Sequence, residues 1–248
     1  MNTHLPITKL DAIWVYLAAT PLLGLTVTLV AYLVAINIYA RARHNPLANP
    51  VLIAVALVVA ALKITDTPYR TYFEGAQFVH FLLGPATVAL ALPLYRQWEK
   101  LKRGALPLLA GLVAGSLTAI VSAVGVAKLL GASHQTLASL APKSVTTPIA
   151  MAVAQKVGGI PSLTAVLVIS TGVFGAVSAR WILDLVRVRE PEVRGFAIGV
   201  ASHGIGTARA FQVSEEMGAF SGLGMGLNGV FTAFVVPVAL PVLLRWLA

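Results

Sequence analysis

The chain has 248 residues, 58% hydrophobic and 11% charged, with no cysteine and a net charge of +9. A soluble domain of this length carries roughly a quarter charged residues, so an ordinary soluble fold is excluded. Lys and Arg gather in short gaps between apolar runs, which reads as membrane topology and not as a nucleic-acid footprint. Disulfides and thiolate metal sites are excluded as well.

The opening residues, MNTHLPITKLDA, lack the basic start, short apolar core and small-residue cleavage site of a signal peptide. Uncharged stretches follow between Asp11 and Arg41 (29 residues), Arg43 and Lys63 (19) and Glu74 and Arg96 (21). Others lie between Arg103 and Lys128 (24), Lys156 and Arg180 (23) and Glu216 and Arg245 (28). A bilayer-crossing helix needs about 20 mainly apolar residues. These stretches therefore predict helices over 12–38, 49–64, 78–95, 104–130, 161–186 and 219–247.

Two segments read differently. Residues 136–156 hold Lys143 between Pro142 and Pro148, and residues 195–212, GFAIGVASHGIGTARAFQ, hold four glycines, His203 and Arg209. Proline and glycine at this density break helices. Irregular backbone at membrane depth survives only against protein or a watery cavity, so both segments are expected to be interrupted or re-entrant and to line a site. Sparse identities also relate the halves 11–130 and 131–248: Gly84 and Thr87 match Gly204 and Thr207, and Gly104 matches Gly224. The expected architecture is a single all-α polytopic membrane domain over 1–248. It has about six to eight membrane helices, two interrupted or re-entrant segments and an internal repeat like that of inverted-repeat transporters.

Charge orders the faces. The gaps 39–48, 96–103 and 187–194 are net basic and are expected to share the cytoplasmic side. Glu215 and Glu216, without a basic residue in 213–218, place that gap on the opposite side. An even number of crossings between 103 and 187 then makes 136–156 dip in and return from the outer side.

None of the nine acids lies in the interior of an apolar span, and Asp184 sits at a helix end within reach of Arg180. An intramembrane cation costs at least about 2.5–3.5 kcal/mol and usually marks a substrate or ion pathway. Lys143 and Arg209 are therefore expected to meet a bound small organic anion, aided by half-helix N-termini. Thr87, Ser144, Thr146, Thr147, Ser202, Gly204, Gly206 and Thr207 join them as candidate binding residues, with His203 a candidate proton carrier. Alternatives stay open: Lys143 could snorkel to an interface, Arg209 could pair with Glu215 or Glu216, and His203 could be a satisfied buried histidine. No HExxH, GxSxG, Walker loop or Cys/His cluster is present, so neither enzyme chemistry nor a metal or cofactor is expected. Glycines at 218, 222, 224, 226 and 229 suit close helix packing, as scaffold or as a homo-oligomer contact.

FLLGPATVALALPLY (81–95), PKSVTTPIA (142–150), GGIPSLTAV (158–166) and ASHGIGTARA (201–210) closely resemble blocks of the LrgB/CidB family of bacterial membrane proteins. The similarity runs from about Pro21 to the C-terminus. The resemblance implies a multi-pass protein of the cell (inner) membrane. It also implies one of two roles. The first is secondary transport of small monocarboxylates of the pyruvate, glycolate or glycerate type, as in the plastid glycolate/glycerate relatives. The second is antiholin-like regulation of murein hydrolase export and autolysis, acting with a holin-like LrgA/CidA partner. Arg180, Trp181 and Asn228 depart from the family pattern outside these blocks.

Overall fold

In a computed structural model the described residues are 21–89 and 91–246, so the start of the first expected span, 12–20, lies outside them. Every regular element among the described residues is a helix. That is what a bilayer demands, since no water is at hand to satisfy open backbone groups. Among the described residues, five helical stretches are long and apolar enough to cross a membrane, with one shorter apolar helix over Pro50–Ile64. This is an all-α, multi-pass membrane protein. Its contacts divide the chain into two units after Val88, a different boundary from the repeat boundary expected near 130.

The first unit holds α1 (Pro21–Arg41), a 3-10 turn (Pro46–Ala48), α2 (Pro50–Ile64) and α3 (Tyr69–Phe81). Asn49 starts α2 by accepting the Val51 and Leu52 N–H groups at 2.9 and 3.2 Å, with proline at the first helical position. Tyr72 joins α3 to α1 through a 2.8 Å hydroxyl bond to Thr28. The single helix expected over 78–95 begins in the last turn of α3 and, after a turn at Leu82, continues as α4 (Leu83–Ala89) and α5 (Ala91–Arg96) on either side of residue 90, which lies outside the described residues.

In the second unit, three long helices frame two hairpins. The long helices are α6 (Trp98–Leu129), α9 (Pro161–Leu185) and α11 (Glu215–Trp246). The first hairpin is α7 (His134–Leu140) and α8 (Thr147–Lys156), joined by a turn that carries Pro142 and Lys143. Its two ends, His134 and Lys156, line one cavity with Arg245, so it leaves by the face it entered. The second hairpin is α10 (Pro191–Val213), which breaks at His203. Its first limb runs with α11: a Cβ at Gly195 would overlap the Met217 carbonyl oxygen, one at Gly199 that of Ser221, and the Val200 carbonyl bonds Asn228. Its second limb runs back, with Thr207 bonded to Ser221 and Phe211 seated on Gly218.

Each long helix offers the hairpins a stripe of buried residues four apart. On α6 the stripe is Leu112, Ser116, Ile120 and Val124; on α9 it is Thr164, Val168, Gly172 and Ala176. Leu112 packs with Phe196 and Val200 of the second hairpin, whereas Ile120 and Val124 pack with Leu137 and Val153 of the first. The limbs are short. Ten residues of α8 and the twelve from 191 to 202 rise about 15 and 18 Å, roughly half a 30 Å hydrocarbon core. Entering from opposite faces, the hairpins meet near the middle.

One sidedness expectation is corrected. Arg96 bonds Glu215 at 2.8 Å and Lys100 bonds Glu216, so the gap at 213–218 shares a face with 96–103. Arg189, Val213 and Ser214 line one cavity, which puts 187–194 on that face too. The segment over 195–212 therefore does not cross. It re-enters from the basic face, as 134–156 re-enters from the other.

Cysteines can be placed at will in this cysteine-free chain. Arg189→Cys and Val213→Cys should react with a membrane-impermeant maleimide from one side in oriented vesicles, and Gln135→Cys and Lys156→Cys only from the other. Val213 and Arg189 labelling from opposite sides would show that α10 crosses.

Candidate functional site

Two residues hold the hairpin tips together. The first is Asn228, fully buried in the middle of α11. Its Nδ2 donates to the Ser144 carbonyl at 3.1 Å, on the first tip, and to the Val200 carbonyl at 2.8 Å, before the second. Its Oδ1 accepts from Ser116 of α6 at 2.7 Å and from Thr232 at 3.2 Å. Two donors and two lone pairs are thus all used. The second residue is Val168 of α9. Its side chain packs with Val145 and Ala150 of the first hairpin, and its carbonyl meets His203 Nε2 of the second at 2.9 Å.

His203 is unusual. Its backbone stands at φ 42° and ψ −136°, a conformation glycine adopts freely and other residues pay for. Such strain costs about 1–3 kcal/mol and persists only where the surroundings over-determine it. Here they do. The Val168 carbonyl can only accept, so Nε2 carries the proton. Gly172, one turn on, leaves room for the ring, since a Cβ there would stand 2.6 Å from His203 Cε1. Thr207 donates to the His203 carbonyl at 2.9 Å, so the hydroxyl of Ser221, 3.0 Å away, donates to Thr207.

The expected site residues divide into two places. Lys143, Ser144, Thr146 and Thr147 form the first tip, with the half-buried Lys143 ammonium 3.3 Å from Ser144 Oγ. Ser202, His203 and Gly204 form the second, and Ser202 is seated against Gly175 of α9. Gly206 and Thr207 follow on the returning limb. Gly206 is needed for close approach, because a Cβ would stand 2.8 Å from Ile198 Cγ2. Neither Gly204 nor Gly206 has a positive φ; the turn falls on His203. Arg209 lies two turns above the tip, in a cavity with Arg180, Asp184, Arg189 and Arg194 that Lys143 does not line. A single carboxylate clamped between Lys143 and Arg209 is therefore not the arrangement found. Thr87 falls in α4, and its side chain lies outside the described residues.

Asn228, Ser116, Val168 and the glycine seat at 172 and 175 were not among the expected site residues. A polar amide in an otherwise apolar span was the available signal for Asn228, because hydrocarbon tolerates it only when it is bonded.

Asn228→Leu strands two buried carbonyls and frees two hydroxyls. It should destabilise the protein by about 2–4 kcal/mol, read as a lower thermal midpoint in detergent, and Ser116→Ala by less than half as much. At position 203 the usual order of substitutions should invert. His203→Gly and His203→Ala both lose the Val168 bond, but glycine removes the strain, so it should melt above alanine, by about 1 kcal/mol in denaturant titrations. Equal stabilities would mean that the turn is not strained.

The LrgB-like family model matches residues 28–242. The chain is 36% identical over 221 residues to the uncharacterized protein YxaC of Bacillus subtilis (strain 168), covering 89% of this chain and 96% of that one. It is 32% identical over 222 residues to the antiholin-like protein LrgB of Bacillus mycoides (strain KBAB4), covering 90% and 96%. An antiholin-like protein LrgB of Bacillus cereus (strain B4264) matches at the same identity and coverage. No solved structure matches. With the family model spanning most of its length, including both hairpins and the helices that frame them, the chain belongs to the LrgB-like family.

Proposed function

We propose that this chain is a secondary transporter of small monocarboxylates, of the pyruvate, glycolate or glycerate type, in the cell (inner) membrane. The observation that supports it is the meeting of two opposed re-entrant hairpins, with polar tips, on Asn228 and Val168. Interrupted helices that end near the midplane are a recurrent way to hold a substrate carboxylate, with half-helix N-termini aimed at it. At the first tip, α8 begins at Thr147 and Thr146 makes no side-chain bond to its first turn, so backbone N–H groups there are available to an anion. Lys143 supplies the charge, with the hydroxyls of Ser144, Thr146 and Thr147 close by in the chain. Arg209 belongs to the cavity at the basic face and leaves Lys143 as the cation of the tip. No bond of the substrate is made or broken in this reading, and no metal or cofactor takes part.

A second reading is favoured by the names of the relatives. Several are called antiholin-like protein LrgB, and on names alone a regulator of murein hydrolase export and autolysis is the better-supported role. It would act with a holin-like LrgA/CidA-type membrane protein. Flux of a metabolite can itself alter lysis, so the two readings are compatible.

Uptake of labelled pyruvate, glycolate and lactate into proteoliposomes, with and without the holin-like protein, separates them. Saturable uptake should appear for at least one acid and fall at least tenfold in Lys143→Met, with the thermal midpoint of the apo protein unchanged or raised, since a half-buried cation has been removed. Absence of uptake under both conditions would leave the regulator reading standing alone.

A further inference from the structure

We propose that the cavity at the basic face, between α9 and both limbs of α10, binds the phosphate of an anionic phospholipid. The inference does not depend on the transport reading. The cavity measures about 490 Å³, within the range of small-molecule sites. Its rim carries Arg180, Arg189, Arg194 and Arg209, drawn from α9, the following loop and each limb of α10. Asp184 is the one acid among the described residues that line it.

That acid is engaged. Arg194 donates to Asp184 Oδ1 at 2.6 Å and to the Val188 carbonyl at 3.2 Å, closing the loop. Arg180 stands 3.9 Å from the other carboxylate oxygen and is 65% exposed. Arg194 and Asp184 thus brace the cavity wall, while Arg180 and Arg189 can turn their guanidinium forks towards a tetrahedral oxyanion.

The floor identifies the kind of anion. Ala176, Ala179, Ile198 and Met217 continue the cavity inward, and Ala176 lies about 12 Å along the α9 axis from Asp184. A free phosphate or a small carboxylate has no use for an apolar floor. An amphiphile does. Beside the rim, Trp181 and Leu185 are exposed on α9, the aromatic and aliphatic collar expected where a helix passes the headgroup level. Basic pockets between membrane helices on the cytoplasmic side are suited to anionic headgroups.

The test uses the whole protein in neutral detergent. Added phosphatidylglycerol or cardiolipin should raise the thermal midpoint by about 3–5 °C at tenfold excess over the dissociation constant, and phosphatidylcholine should not. Arg180→Gln with Arg189→Gln should abolish the shift without lowering the lipid-free midpoint, because both side chains are exposed. Lys102→Gln, a basic residue outside the cavity, should keep it. Native mass spectrometry should show one retained anionic lipid lost from the double variant. A full shift in the double variant, or no preference for anionic lipid, overturns the site. An equal shift from inorganic phosphate overturns the lipid assignment.

Discussion

A buried amide with four hydrogen bonds is the constraint on which the rest of this fold depends. In hydrocarbon an unbonded polar group costs several kcal/mol, and the two re-entrant turns expose such groups where no helix can satisfy them. Asn228 resolves part of that demand at both turns together. Its donors take one carbonyl from each hairpin, and its acceptor is filled by Ser116 and Thr232. The position follows from the stripes. Ser116 is the point at which α6 passes from packing the second hairpin to packing the first, so Asn228 bonds the helix at the boundary between the two.

The second constraint is room. A re-entrant hairpin places two limbs where a crossing helix would place one, and backbones must approach closely to fit. Gly199 lets the first limb of α10 lie on Ser221, and Gly172 and Gly175 let its turn press into α9. Small residues at such contacts are the usual means of close packing in membranes. Two glycines of α11 serve as intramolecular scaffold, since Gly218 and Gly224 receive Phe211 and the Phe196 carbonyl. The strain at His203 is the counterpart of this packing, because the turn is fixed from two sides and the residue between must accept its backbone angles.

The spans and both broken segments were readable from the chain because they rest on local chemistry: run length, charge spacing, and proline or glycine density. Sidedness at 213–218 was not. Sequence counts Glu215 and Glu216 as an acidic gap, and an acidic gap reads as the outer face. In three dimensions these acids are counter-ions to Arg96 and Lys100, residues more than a hundred positions away. Arg209 was misplaced for a related reason. Its spacing from His203 is short in sequence, yet two helical turns carry it from the tip to the face. Of the four Asn228 partners, only Thr232 is near in sequence, so the amide could be noticed as an exception without its role being visible.

Lys143 carries the weight when the two functional readings are compared. Packing alone gives no reason for a lysine at this tip: Val145 and Ala150 complete the contact with Val168, and the Ser144 carbonyl is already bonded by Asn228. A purely structural tip would be more stable with an apolar residue in that place, by an amount of the order of the ~2.5–3.5 kcal/mol insertion cost of a cation at membrane depth. A surface that only docks a partner protein has no call for charge at the meeting point of two buried turns. On the transport reading proposed above a transient anion does, since its binding energy would offset the desolvated ammonium only while it is bound. On that reading, alternating occupancy suits a half-buried cation that the protein serves with a single hydroxyl, Ser144 Oγ at 3.3 Å.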